Sequence, residues 1–230
     1  MTGAEALVET LLAAGIDVCF ANPGTSEMHF VAALDRHPKM RCVLCLFEGG
    51  ASGAADGYAR MAGRPAATLL HLAPGFGNAY ANLHNARKAK SPVVNVVGDH
   101  ASHHLRFDAP LKGDLQGVAA SVSHWVRRSA TPDAVGPDAA ASITAAMADG
   151  GQVTTLILPA DASWGEGGKA ATPLAAAPLP RPDDSAIATA ARQLSRPGAA
   201  LLVNGPALFG PLADTAGRIA TATGCRLIAP

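Results

Sequence analysis

Aromatic residues make up only 4% of this 230-residue chain and charged residues only 16%, eighteen basic side chains cancelling eighteen acidic ones. Without net charge the chain lacks the electrostatic footprint of a binder of nucleic acid or of an acidic membrane surface. Long apolar runs are missing too: ATLLHL and VTTLILPA fall far short of the ~20 residues that span a bilayer. Four cysteines (Cys19, Cys42, Cys45 and Cys225) do not make a disulfide framework in this length, and MTGAEALVET has no basic region leading into an apolar one. A cytoplasmic protein is expected. No GxxxxGK[ST] loop occurs, which argues against a P-loop nucleotide hydrolase. Gly75-Phe76-Gly77 is followed by Asn78-Ala79-Tyr80, so the third small residue of a dinucleotide fingerprint is absent. What the chain does have is 49% hydrophobic residues, which excludes disorder and supplies a large core.

Thr2 and Glu5 have the spacing of a capping box, and Leu7, Val8, Leu11 and Leu12 follow at helical period as far as Gly15. Apolar runs at 16–20, 41–47, 66–72, 92–97 and 153–158 then read as strands, with helices at 49–62, 76–88 and 139–147 and a further helix after Asn22-Pro23-Gly24. This alternation predicts an α/β fold: a doubly wound, mostly parallel sheet with helices on both faces over residues 1–165. Residues 166–182 are rich in Gly, Pro and Ala without periodicity and read as a linker. Residues 183–230 repeat helix, strand, helix, strand, too short a piece for an easy core of its own, and read as a partial second α/β domain.

Ligands of open parallel sheets bind beyond the carboxyl ends of the strands. Four polar places fall there: Pro23, Gly24 and Thr25; Glu48; His71 with the Pro74–Asn78 turn; and Gly98-Asp99-His100. Glu48 lies between an apolar strand and a helix of small residues. A carboxyl in such dry surroundings can keep its proton and exchange it with a ligand nitrogen, although a Glu held by a helix dipole would look the same. Gly50, Gly53 and Gly57 leave that helix bare for close packing, either on a partner subunit's helix or on its own sheet. His71 can meet a substrate carboxylate or shuttle a proton, or simply be structural. Asp99-His100-Ala101-Ser102-His103-His104 has adjacent candidate ligands without a second cluster, so no metal site is assigned. Cys42 and Cys45 form a CxxC spacing, but three apart on a strand they point to opposite faces, and core packing is the expectation. Arg87, Lys88 and Lys90 suit a helix C-terminus.

Taken together, AGIDVCFANPGTSE, LFEGGASGAADGYAR, HLAPGFGNA with NARKAKSPVVNVVGD, and TLILPAD resemble the N-terminal pyrimidine-binding domain of thiamine-diphosphate-dependent 2-oxo-acid enzymes. Residues from about 185 resemble the opening of that family's middle domain. The resemblance implies that Glu48 contacts the aminopyrimidine ring and promotes the imino tautomer that deprotonates the thiazolium, so that the ylide can attack a 2-oxo acid. After loss of carbon dioxide the enamine is protonated, as in a decarboxylase, or transferred to a second carbonyl compound, as in acetolactate synthase. It also implies cofactor contacts from Pro23, Gly24 and Asn78, and substrate contacts from Thr25 and His71.

Two departures bear on the substrate. His71-Leu72-Ala73-Pro74-Gly75 replaces the Ser-Gly-Pro-Gly of acetolactate synthases, and Asp108-Ala109-Pro110-Leu111 stands where they have a Phe-Gln pair. His71 and NPGTSE look more like benzoylformate decarboxylase. The family holds its diphosphate through magnesium on a Gly-Asp-Gly motif, and none occurs in these 230 residues. The expectation is therefore a pyrimidine half-site, inactive alone, that faces the diphosphate-binding domain of another subunit in at least a dimer. The magnesium would belong to the missing domain, and the resemblance leaves a flavin in the middle domain open. The alternative is a noncatalytic assembly module that keeps the fold.

Overall fold

The computed structural model describes residues 1–175 and 180–229. In chain order the elements are α1 (Gly3–Ala13), β1 (Val18–Asn22), α2 (Met28–Arg36), β2 (Arg41–Leu44), α3 (Glu48–Ala62), β3 (Ala66–Leu70), α4 (Leu72–Ala89) and β4 (Val93–Asp99). Then come α5 (Leu115–Val122), β5 (Trp125–Arg128), α6 (Pro132–Ala146), β6 (Val153–Pro159), α7 (Ala160–Trp164), α8 (Asp184–Leu194), β7 (Ala200–Leu202), α9 (Gly210–Thr223) and β8 (Arg226–Ile228). Helix α1 starts on the expected box: Thr2 Oγ1 accepts from the Glu5 amide, and a Glu5 carboxylate oxygen accepts from the Thr2 amide.

Strands β1 to β6 form one wholly parallel sheet in the order β2-β1-β3-β4-β6-β5. The central strands are buried on both faces, and their alternate residues feed two cores. Ala67, Leu69, Val94, Val96, Leu156 and Leu158 pack with α1, α2 and α6, whereas Ala66, Leu70, Val93, Val97, Val153 and Ile157 pack with α3, α4 and α5. The doubly wound reading is therefore correct. A polar seam runs through the middle: Thr68 Oγ1 donates to Asn95 Oδ1 (2.8 Å), and Asn95 Nδ2 donates to Thr155 Oγ1 (3.2 Å). These three residues are register partners on β3, β4 and β6, so each satisfies its buried neighbour.

Three elements, α5, β5 and the five-residue α7, escape the sequence reading. Helix α5 is only eight residues long and contains Gly117, and β5 (WVRR) carries two charges in four residues because it is an edge strand with one side open. The core expectation for the CxxC pair fails at Cys42, whereas Cys45 packs half-buried against the core on the α3, α4 and α5 side. Strand β2 is the opposite edge, so Cys42 is exposed.

The chain divides into two compact units, Met1–Ala177 and Pro178–Pro230. Part of the expected linker follows the first unit: Gly167 and Gly168 amides donate to the Met1 carbonyl, the Ala171 amide to Thr10 Oγ1, and the Leu174 amide to Thr144 Oγ1. Residues 176–179 of that segment lie outside the described residues. In the second unit β7 pairs in parallel with β8, and α8 and α9 accompany them.

Candidate active site

The chain runs from β1 to β2 on one side of the sheet and then returns to β3 on the other. This reversal opens a crevice at the carboxyl ends of β1 and β3, the place where doubly wound sheets take ligands. Pro23 and Gly24 follow β1, His71 follows β3, and Glu48 follows the adjacent β2.

Glu48 is the first residue of α3 and is only 7% exposed. Its Oε2 accepts from Asn78 Nδ2 on α4 at 2.9 Å, while Oε1 has no hydrogen-bond partner among the described residues. The two helices are tied further by Asn82 Nδ2, which donates to the Gly49 carbonyl at 2.6 Å. Gly75, a turn before Asn78, is what gives Oε1 its room, because a Cβ there would stand 2.6 Å from it. Of the small residues on α3, Gly53 would touch the Asn82 amide if it bore a Cβ, whereas Gly50 and Gly57 face open space.

His71 is half-buried, and its Nδ1 lies 2.7 Å from Oε2 of Glu27. That carboxylate oxygen also accepts from the Gly24 amide at 2.7 Å. Burial pushes the Glu27 carboxyl above its ordinary range, against the opposing pull of His71 and the Gly24 amide. Sequence reasoning assigned Glu27 no role. The available signal was its place at the end of NPGTSE, three residues beyond Gly24, where the turn Thr25–Glu27 folds it back under the loop. Leu72, next to His71, has φ of +55°, a left-handed conformation that strains a residue with a side chain.

Thr25 is exposed and does not join Glu48. It lines a separate open cavity of about 250 Å³ with Ser26, His29, His100, His103, His104 and Trp164. Asp99 is turned away from that cavity toward an ion pair with Arg128. No group of three or more His, Cys, Asp or Glu among the described residues could hold a metal ion. Arg87 and Lys90 are engaged locally, donating to the Ser121 and Asp149 carbonyls.

Residues 1–123 match the family described as thiamine pyrophosphate enzyme, N-terminal TPP binding domain. A Mycobacterium tuberculosis (strain H37Rv) protein with the provisional name acetolactate synthase large subunit IlvX is 56% identical over 98% of this chain and 44% of its own length. Benzoylformate decarboxylase of Pseudomonas aeruginosa is 31% identical over 91% of this chain and 40% of its own. Among solved structures, the thiamine diphosphate-dependent 4-hydroxybenzoylformate decarboxylase of Rhodococcus jostii RHA1 superposes with a TM-score of 0.87 at 23% identity, over 100% of this chain and 44% of that one. The chain thus spans less than half the length of each of these relatives.

Proposed function

The chain belongs to the thiamine pyrophosphate enzyme family through that family's N-terminal TPP binding domain, and from this premise we propose that it forms the pyrimidine half of an active site acting on a 2-oxo acid. The observation that carries the reading is the Glu48 carboxyl, with one oxygen held by Asn78 and the other unengaged beside Gly75. That set fits the pyrimidine end of thiamine diphosphate: a hydrogen-bonding carboxyl for a ring nitrogen, kept in place by a glycine that leaves its Oε1 room. Bound there, thiamine diphosphate supplies the electron sink that decarboxylation of a 2-oxo acid requires.

The residues of this chain have separate tasks. Glu48 holds and moves a proton at Oε1, and Asn78 fixes the orientation of the carboxyl while its exposed amide borders the site. Pro23 and Gly24, in the turn after β1, supply further cofactor contacts. His71 offers a ring nitrogen to the reacting acid, and Thr25, which lines the neighbouring cavity, offers a hydroxyl to the substrate carboxylate. The product is either an aldehyde, carbon dioxide being replaced by a proton as in a decarboxylase, or, by transfer to a second carbonyl compound, a hydroxy-ketone as in acetolactate synthase.

Magnesium and the diphosphate are assigned to the diphosphate-binding domain of another subunit, in at least a homodimer, and residues 183–230 to the start of a middle domain. Beside Glu48, Leu46 is 98% exposed, and Leu44 and Phe47 are exposed as well, an apolar surface that such a domain would cover. Among the described residues no helix is long and apolar enough to cross a membrane, which is compatible with the proposed cytoplasmic site.

The test is release of carbon dioxide from 2-oxo acids by the protein purified from its native source, with thiamine diphosphate and magnesium, beside a Glu48→Gln variant. Loss of about 10²-fold or more in kcat with an unchanged melting temperature is expected. Unchanged turnover in the variant would remove Glu48 from the mechanism, and no turnover by the parent protein would favour a noncatalytic assembly module.

A further inference from the structure

Four separate features converge on the His71 ring. Its Nδ1 is 2.7 Å from Glu27 Oε2. Gly24 packs so closely against the ring that any Cβ at that position would overlap the imidazole. The other oxygen of Glu27, Oε1, is buried without a hydrogen-bond partner and is pressed against Gly98 on β4, where a Cβ would overlap it. Finally, the strained Leu72 begins α4 directly after His71. A carboxyl whose side chain is only 1% exposed, with one oxygen left unpaired, is costly to keep. Its return lies in what Oε2 does.

We propose that Glu27 is a positioning residue for His71: it engages Nδ1 permanently and leaves Nε2 as the single ring nitrogen that can meet a ligand at the carboxyl edge. While the pair lacks a proton, the Nδ1–H donates to the Glu27 carboxylate and Nε2 is a bare acceptor. When the pair gains one proton, Nε2 carries hydrogen whether the shared proton sits on Nδ1 or on Oε2. Nε2 is therefore the working end in both states, base in one and acid in the other. Gly24 fixes the ring from one side, and Gly98 lets the carboxyl sit deep enough to reach Nδ1. What Nε2 then does to a substrate rests on the functional reading above, but its tautomer does not.

The experiment is long-range ¹H–¹⁵N correlation of the histidine ring nitrogens in the 230-residue chain, whose eight histidines give seven others as internal comparison. At a pH above the titration of the pair, where Glu27 is ionised, neutral His71 is expected to be at least about tenfold in favour of the Nδ1–H tautomer, as a hydrogen bond to a charged acceptor of this kind dictates. In Glu27→Ala that preference is expected to vanish while the other rings are unchanged, and in Glu27→Gln, which keeps an acceptor oxygen, to be restored. Should Glu27→Ala fail to fold, Gly98→Ala, which crowds Oε1, is expected to weaken the preference in the same direction. At a pH above the titration of the pair, a wild-type His71 in the Nε2–H form, or a ratio indifferent to both Glu27→Ala and Gly98→Ala, overturns the proposal. These spectra need neither cofactor nor turnover, so the tautomer can hold even if the 2-oxo-acid reading fails.

Discussion

Oε1 of Glu48 occupies the space that a side chain on Gly75 would fill, 2.6 Å from the position of the absent Cβ. Three residues farther along α4, Asn78 holds the other oxygen of the same carboxyl. The helix thus controls both ends of the group, one by contact and one by emptiness.

Gly75→Ala tests that emptiness. Alanine is intrinsically better than glycine in a helix by about 1 kcal/mol, so the fold should tolerate the change. The Glu48 carboxyl, however, must swing away from its site. A melting temperature near that of the parent, with turnover of the native protein reduced by about 10-fold or more, is expected. Retained turnover would show that Glu48 does not need this position.

Glu27 should leave a mark on the pH dependence of stability. Its carboxyl is raised by burial, so the folded chain binds a proton more tightly than the unfolded chain does. Its contribution is fully present below the ordinary carboxylate range and is lost as pH rises through the raised value. Relative to Glu27→Gln, the parent should therefore lose about 1.4 kcal/mol for each unit by which the carboxyl is raised. Urea midpoints measured on both proteins from acid to neutral pH give this slope directly, and a difference that grows with pH instead would contradict it.

Asn95 is fully buried between Thr68 and Thr155. Asn95→Ala leaves both hydroxyls without that partner in the centre of the sheet, and a loss of about 1–3 kcal/mol in chemical denaturation is expected. A neutral substitution would mean that water or the threonines themselves restore the bonds.

Calorimetry of the 230 residues with thiamine diphosphate and magnesium should give binding in the millimolar range or none, about 4 kcal/mol at most. A pyrimidine half-site makes only part of the contacts the cofactor requires. Tight, magnesium-dependent binding would refute the division of the site between two domains.

The strands of the inner sheet were legible because they are buried on both faces and read as unbroken apolar runs, and Glu48 stood out as the one carboxylate between the apolar run of the edge strand β2 and a helix of small residues. The edge strand β5 was not legible, since a strand with one open side carries Arg127 and Arg128 and loses the apolar signature. Edge position likewise explains why Cys42 is exposed although its local sequence resembles a core strand.

Sequence by itself determined the alternation of helix and strand, the two-faced core and the polar residues at the strand ends, because periodicity and turn chemistry act over a few residues. Only the tertiary structure decided which of those residues meet. Glu27 and His71 are 44 residues apart along the chain and become partners because β1 and β3 are neighbours at the point where the strand order reverses. Pairing of distant strands is set by how the whole chain buries its apolar faces, and no local pattern in the sequence records it.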